Sequence, residues 1–100
     1  MAASETPTLI SADKTVAAAG TAEAISATAQ RVRSVTIVAK DNNTGRGYVG
    51  GADVTSTVNR GLQAGDVLTH TSASGWLDLA DVYVDADVSG EGVDYYAVKA

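Results

Sequence analysis

The chain's one histidine, His70, sits in Thr69-His70-Thr71-Ser72-Ala73-Ser74-Gly75, a run of small and hydroxyl-bearing residues. As a general base it would need a positioned nucleophile or an orienting carboxylate. Neither stands at recognisable spacing: there is no Gly-x-Ser-x-Gly, and no second histidine to share a metal ion. Asp81, Asp85 and Asp87 fall on one face of an alternating segment, with Asp78 nearby. That face raises calcium as a ligand, but calcium takes about six to eight oxygens converging from a tight loop. On an extended strand Asp85 and Asp87 would stand about 6.5–7 Å apart and diverge, so the expectation is a solvated acidic face. Gly45-Arg46-Gly47-Tyr48-Val49-Gly50-Gly51 has the glycines of a phosphate loop without its lysine. It also lacks the helix N-terminus that completes a phosphate cradle, so these read as hairpin glycines. Asn42-Asn43-Thr44 fits a glycosylation sequon and, in a chain with no secretory signal, reads as a polar turn. With no cysteine there is no thiolate chemistry, disulfide or Cys-ligated zinc. The residues point to no enzyme, with no catalytic, cofactor-binding or metal-binding residue assigned.

Trp76, the only tryptophan, stands between Gly75 and Leu77. It reads as the largest core residue, in which case Trp76→Ala costs about 3–5 kcal/mol. The other reading is an anchor at an interface.

The elements that would position these residues are strands. Arg33 to Lys40 is rich in β-branched residues, and alternation places Val35, Ile37 and Ala39 on a core face. Asp41-Asn42-Asn43-Thr44-Gly45 breaks that strand, and Gly47 to Gly50 is expected to return beside it as a hairpin. Lys14–Ala19 and Ala22–Ser26 read as short strands about a Gly20-Thr21 turn, and Val54–Asn59 as a short strand or a loop crossing an edge. Leu62 to Leu68 holds a glycine-centred turn into a strand, and Thr69 to Gly75 reads as a loop by composition. Leu79–Val88 alternates with Val82, Val84, Ala86 and Val88 on one side. Ser89-Gly90-Glu91-Gly92 reads as a hairpin turn into a closing strand, Val93–Lys99.

Turn signals about every 8–12 residues are the rhythm of a sandwich or small barrel. The fold class is therefore all-β: a small antiparallel β-sandwich or jelly-roll-like domain over residues 14–100, preceded by a flexible N-terminal arm over residues 1–13. One hundred residues support one core. Its apolar material is mostly Ala and Val with no Phe, which suits a thin core between sheets.

The net charge of −5 is unevenly spread. Residues 1–65 carry Lys14, Arg31, Arg33, Lys40, Arg46 and Arg60, whereas residues 66–100 carry only Lys99 against seven acids. No basic footprint for nucleic acid is present, and no apolar run is long enough for a membrane span. The N-terminus lacks the basic start and apolar stretch of a secretory signal. The expectation is a soluble protein made in the cytoplasm of whatever cell makes it.

The run from Ser34-Val35-Thr36-Ile37-Val38-Ala39-Lys40 through Asp41-Asn42-Asn43-Thr44-Gly45 to Tyr48-Val49-Gly50-Gly51 resembles small structural proteins from virions of tailed bacteriophages. Leu79-Ala80-Asp81-Val82-Tyr83-Val84-Asp85 and Gly92-Val93-Asp94-Tyr95-Tyr96 are similar to the same group. Gly61-Leu62-Gln63-Ala64-Gly65 is shorter than the group's Gly-x-x-Leu-x-x-Gly. The resemblance runs from about Ala18 to the C-terminus and rests on turn glycines and alternating strand residues. It implies a head decoration (capsid cement) protein on the outer capsid surface of the virion, with the major capsid protein as partner and a homo-oligomer, a trimer, as its assembly. The alternative it leaves is a tail, neck or fibre component that contacts a glycan or receptor.

Overall fold

The computed structural model describes residues 8–72 and 75–99. They form eight strands: β1 (Leu9–Thr15), β2 (Glu23–Ala24), β3 (Arg31–Ala39), β4 (Gly47–Gly50), β5 (Val67–Thr71), β6 (Leu77–Asp78), β7 (Tyr83–Ala86) and β8 (Gly92–Lys99). A 3-10 turn, Leu79–Asp81, leads into β7. All pairings are antiparallel and divide the strands into two sheets. The larger has the order β1-β8-β3-β5, with β6 also on β3; the smaller has the order β2-β7-β4. The chain is all-β, as its turn rhythm indicated.

Both sheets feed one buried cluster. Val32, Val35 and Ile37 come from β3, Val93, Tyr95 and Ala97 from β8, and Val84 and Ala86 from β7, with Val16, Ile25, Leu79 and Val82 between them. Each fully buried Val or Ile is worth about 1.5–3 kcal/mol, so stability is shared among many small side chains. The expected core face of β3 is present, since Val35, Ile37 and Ala39 are all buried. Val32 is buried too, although simple alternation would turn it outward. The β3–β8 register shifts between Val32 and Ser34, so Arg33 is the extra residue of a bulge, and a bulge resets the phase of alternation.

Several expectations are corrected. Residues 9–13, expected in the arm, belong to β1, which pairs with β8 along its whole length; residues 1–7 lie outside the described residues. The close pairing depends on Gly92, where any Cβ would collide with the backbone of Lys14 and Thr15. No hairpin joins β3 to β4, because β4 pairs with β7 in the other sheet. Likewise Ser89–Gly92 does not fold β8 back on β7. Its Gly90 N–H donates to Val16 O at 2.8 Å, and Val16 N–H to Glu91 O at 2.9 Å, so the turn is tied to the end of β1 and hands the chain to the larger sheet. Turn composition marks where a strand ends, but these long-range bonds decide which sheet receives the next one.

Thr69–Thr71, expected in a loop, lies in β5 and pairs with Ser34–Thr36; Ala73 and Ser74 of that expected loop lie outside the described residues. Leu79–Asp81 is a 3-10 turn and not strand, because the Asp78 carboxylate caps it, accepting from Ala80 N at 2.9 Å. The same oxygen accepts from Gln30 N at 3.0 Å, which fixes the turn to the start of β3. Val54–Asn59 is loop, with Val54 fully buried as its plug.

Candidate interaction surface

The residues singled out for chemistry do not converge. His70 lies on β5, exposed, along a groove of about 330 Å³ whose walls include Val49, Leu68, Leu77 and Val82. The one carboxylate that joins His70 there is Asp81. Among the described residues, no three His, Cys, Asp or Glu side chains are grouped to hold a metal ion.

The aspartates of the expected acidic face have three different fates. Asp81 is exposed. Asp85 is only 2% exposed, which corrects its place on a solvated face. Its Oδ1 accepts from Gly20 N at 2.9 Å and from its neighbour Ala86 N at 2.8 Å. The turn after β1 thus covers the outer side of β7 and supplies the donor a buried carboxylate requires. Asp87 accepts from Arg46 N at 3.1 Å and from the Tyr48 hydroxyl at 2.8 Å. Burial, then the bond to Asp87, pushes the Tyr48 hydroxyl above its ordinary pKa.

The glycine-rich stretch does resemble an anion nest in one respect, for three successive backbone amides, Thr44 to Arg46, all donate to carboxylates. Their acceptors are internal. Thr44 N and Gly45 N donate to Glu91 at 2.8 and 3.0 Å, and Arg46 N donates to Asp87. Thr44 Oγ1 adds a further bond to Glu91 at 2.8 Å. The amide bonds from Gly45 and Thr44 hold the Glu91 carboxyl below the usual range. The amides a phosphate would use are therefore occupied by the protein's own carboxylates. The site closes tightly: a Cβ on Gly45 would stand 2.7 Å from Asp87 Cβ. At Gly61, where φ is +74°, a Cβ would stand 2.5 Å from the Tyr48 ring.

One cluster of charge on the larger sheet is also settled internally. Asp13 and Asp94 are direct cross-strand partners on β1 and β8, a pairing of like charges that would repel. Lys40 reaches both, at 2.9 Å each. Its ammonium lowers the Asp13 pKa, and the two carboxylates, Asp94 before Asp13, raise that of Lys40. Lys14 joins the two sheets through Glu23 at 2.9 Å and, with the Ala17 amide, lowers the Glu23 pKa.

What remains unspent is exterior apolar surface. Trp76 is 59% exposed, correcting the core reading, and Arg31 lies over its ring at 4.8 Å from the centroid. Val58 and Leu68 are also exposed, and Leu9, Tyr96 and Val67 are exposed on the outer face of the larger sheet. The exposure of Leu68 follows from the topology. Leu68 and His70 stand opposite Ile37 and Val35, so they belong to the core-facing side of the larger sheet. The smaller sheet ends at β4 and does not cover them. Of the four tyrosines, Tyr48 and Tyr95 are buried and Tyr83 is half-buried, leaving Tyr96 as the exposed one.

Comparisons with protein-family models, with curated proteins and with solved structures found no match in any of the three.

Proposed function

We propose that this chain is a head decoration protein of a tailed bacteriophage, which binds assembled major capsid protein and braces the shell. The observation that carries the reading is the distribution of exposed apolar residues. Leu9, Val67 and Tyr96 are exposed on the outer face of the larger sheet and Leu68 on its other face, beyond the cover of the smaller sheet, while the polar nest at Thr44–Arg46 is filled by internal carboxylates. Two separate adhesive regions suit a protein that must touch both its own copies and a shell. The two sheets about a shared cluster support a β-sandwich with jelly-roll-like crossings as the finer description. Preferential binding to assembled shell stabilises it by mass action, as RT ln(1 + [L]/Kd), and repetition over a symmetric lattice multiplies weak contacts.

The test is to mix the purified protein with expanded, empty heads and with isolated tails. Saturable binding to heads and a raised temperature of shell disruption are the expected results. Binding to tails without binding to heads would move the chain to a tail, neck or fibre station. The glycan reading would rest on the exposed aromatics Tyr96 and Trp76, and the Trp76 ring is already stacked under Arg31.

A further inference from the structure

The two edges of the larger sheet differ. On the β1 side the edge strand carries Asp13 and Lys14, the kind of charged side chains that discourage edge-to-edge pairing. On the other side β5 reads Val67-Leu68-Thr69-His70-Thr71, exposed throughout, with no acidic residue, lysine, arginine, proline or bulge. Among the described residues its second edge has no strand partner.

The backbone of β5 defines what that edge offers. Ala39 N donates to Asp66 O at 3.0 Å, and Ser72 N donates to Arg33 O at 2.9 Å. Bonding in an antiparallel ladder alternates, so Leu68 and His70, of the same parity as Asp66 and Ser72, bond to β3. The N–H and C=O groups of Val67, Thr69 and Thr71 therefore point away from the sheet. These three positions are symmetric about Thr69.

We infer that β5 is a homodimerisation edge: two copies join by antiparallel β5–β5 pairing about a two-fold axis at Thr69. In this register Thr69 faces Thr69 of the second copy, and Val67 faces the second copy's Thr71. Each of these pairs exchanges two backbone bonds, so every outward group on the edge is satisfied. On the core-facing side Leu68 falls beside the second copy's His70, and the uncovered flanks of the two apolar grooves meet. Asp66, which accepts from Gln63 N within its own turn at 2.9 Å, falls opposite Ser72, so no like charges are opposed. An isologous contact of this kind needs the same patch on both partners to be self-complementary; the β1 edge, with its charges, is not. Exposed Val67 and Leu68 add apolar area to the backbone bonds. The contact remains small beside the roughly 1,600 Å² of a standard interface, so self-association belongs in the micromolar to millimolar range. A second copy is the fitting occupant because the outward groups and side chains match themselves. The inferred state is a dimer, where the resemblance implies a trimer, and it stands independently of the capsid reading.

Sedimentation equilibrium across that concentration range tests it. The molar mass of the full chain is expected to double. Thr69→Pro removes an N–H that has no internal partner, and is expected to weaken association about tenfold or more while leaving the circular dichroism spectrum unchanged. Thr69→Lys, which keeps the N–H but sets two ammonium groups face to face on the axis, is expected to do the same, with recovery at high salt. Amide hydrogen exchange at Val67, Thr69 and Thr71 is expected to slow as concentration rises. A mass that stays monomeric into the millimolar range, a trimeric mass, or a dimer indifferent to both folded variants would overturn the inference.

Discussion

Asn43 and Gly92 exchange two hydrogen bonds: Asn43 Nδ2 donates to Gly92 O at 2.8 Å, and Gly92 N donates to Asn43 Oδ1 at 3.3 Å. The side-chain amide imitates one residue of a strand, extending the β3–β8 ladder past Lys40, whose own N–H also donates to Gly92 O at 3.1 Å. This joins the loop that leaves the larger sheet to the turn that enters it.

Asn43→Ala is expected to cost about 1–3 kcal/mol, because the part-buried Gly92 N–H loses its acceptor, while Gly92 O keeps the Lys40 N–H. Gly92→Ala is expected to cost more, about 3 kcal/mol or beyond, since the new methyl meets the β1 backbone, which cannot yield without losing its pairing. Urea unfolding of both variants checks the order. Equal effects would remove the steric account of Gly92.

Asp85→Ala leaves the Gly20 and Ala86 amides without their acceptor and is expected to cost about 1–3 kcal/mol. A solvated Asp85 would cost nothing measurable on the same substitution. Asp85→Asn keeps one acceptor oxygen and is expected to fall between the two.

Trp76→Ala separates the surface reading from the core one. With the ring outside and stacked under Arg31, the expected loss is about 0.5–1 kcal/mol, against about 3–5 kcal/mol for a buried ring. Thermal unfolding followed by circular dichroism distinguishes them.

Stability is expected to fall at both pH extremes. Asp13, Glu23 and Glu91 have lowered pKa values in the fold, through Lys40, through Lys14, and through the Gly45 and Thr44 amides respectively. A lowered carboxyl pKa contributes stability above its unfolded value and loses it as pH falls through the folded value, which places the acid limb below about pH 4. Lys40 is raised by Asp94 and Asp13, so its contribution is present below its unfolded value and is lost as pH rises through the folded one. Tyr48 and Tyr95, raised mainly by burial, hold their protons where the unfolded chain would ionise, and this also lowers stability above about pH 10. Urea midpoints between about pH 3 and 11 should form a plateau with two falling limbs. An unchanged midpoint at high pH would contradict the environments given to Lys40 and the two tyrosines.

What the sequence revealed, and what it hid, follows physical lines. The inward face of β3 was legible because Val35, Ile37 and Ala39 alternate without interruption. Val32 was not, since the bulge at Arg33 leaves no compositional mark. β5 was concealed by its hydroxyl content: Thr69 and Thr71 read as loop beside Ser72, although threonine is β-branched and suits a strand edge. Asp85 was placed outside by alternation, which counts residues along β7 but not the Gly20 turn that folds over it. Trp76 misled because size suggested burial, whereas a cluster made of Val, Ala, Ile and a few larger side chains fills its interior without an indole.

The proposed capsid role places adhesion on surface segments, those carrying Leu9, Val58, Trp76 and Tyr96, and not in a pocket. Amide hydrogen exchange of the chain alone and mixed with expanded, empty heads measures this directly. Slower exchange concentrated in those segments, with Thr44–Arg46 and Asp87 unchanged, is the expected result. Protection confined to the Thr44–Arg46 nest, or no protection anywhere, would contradict it.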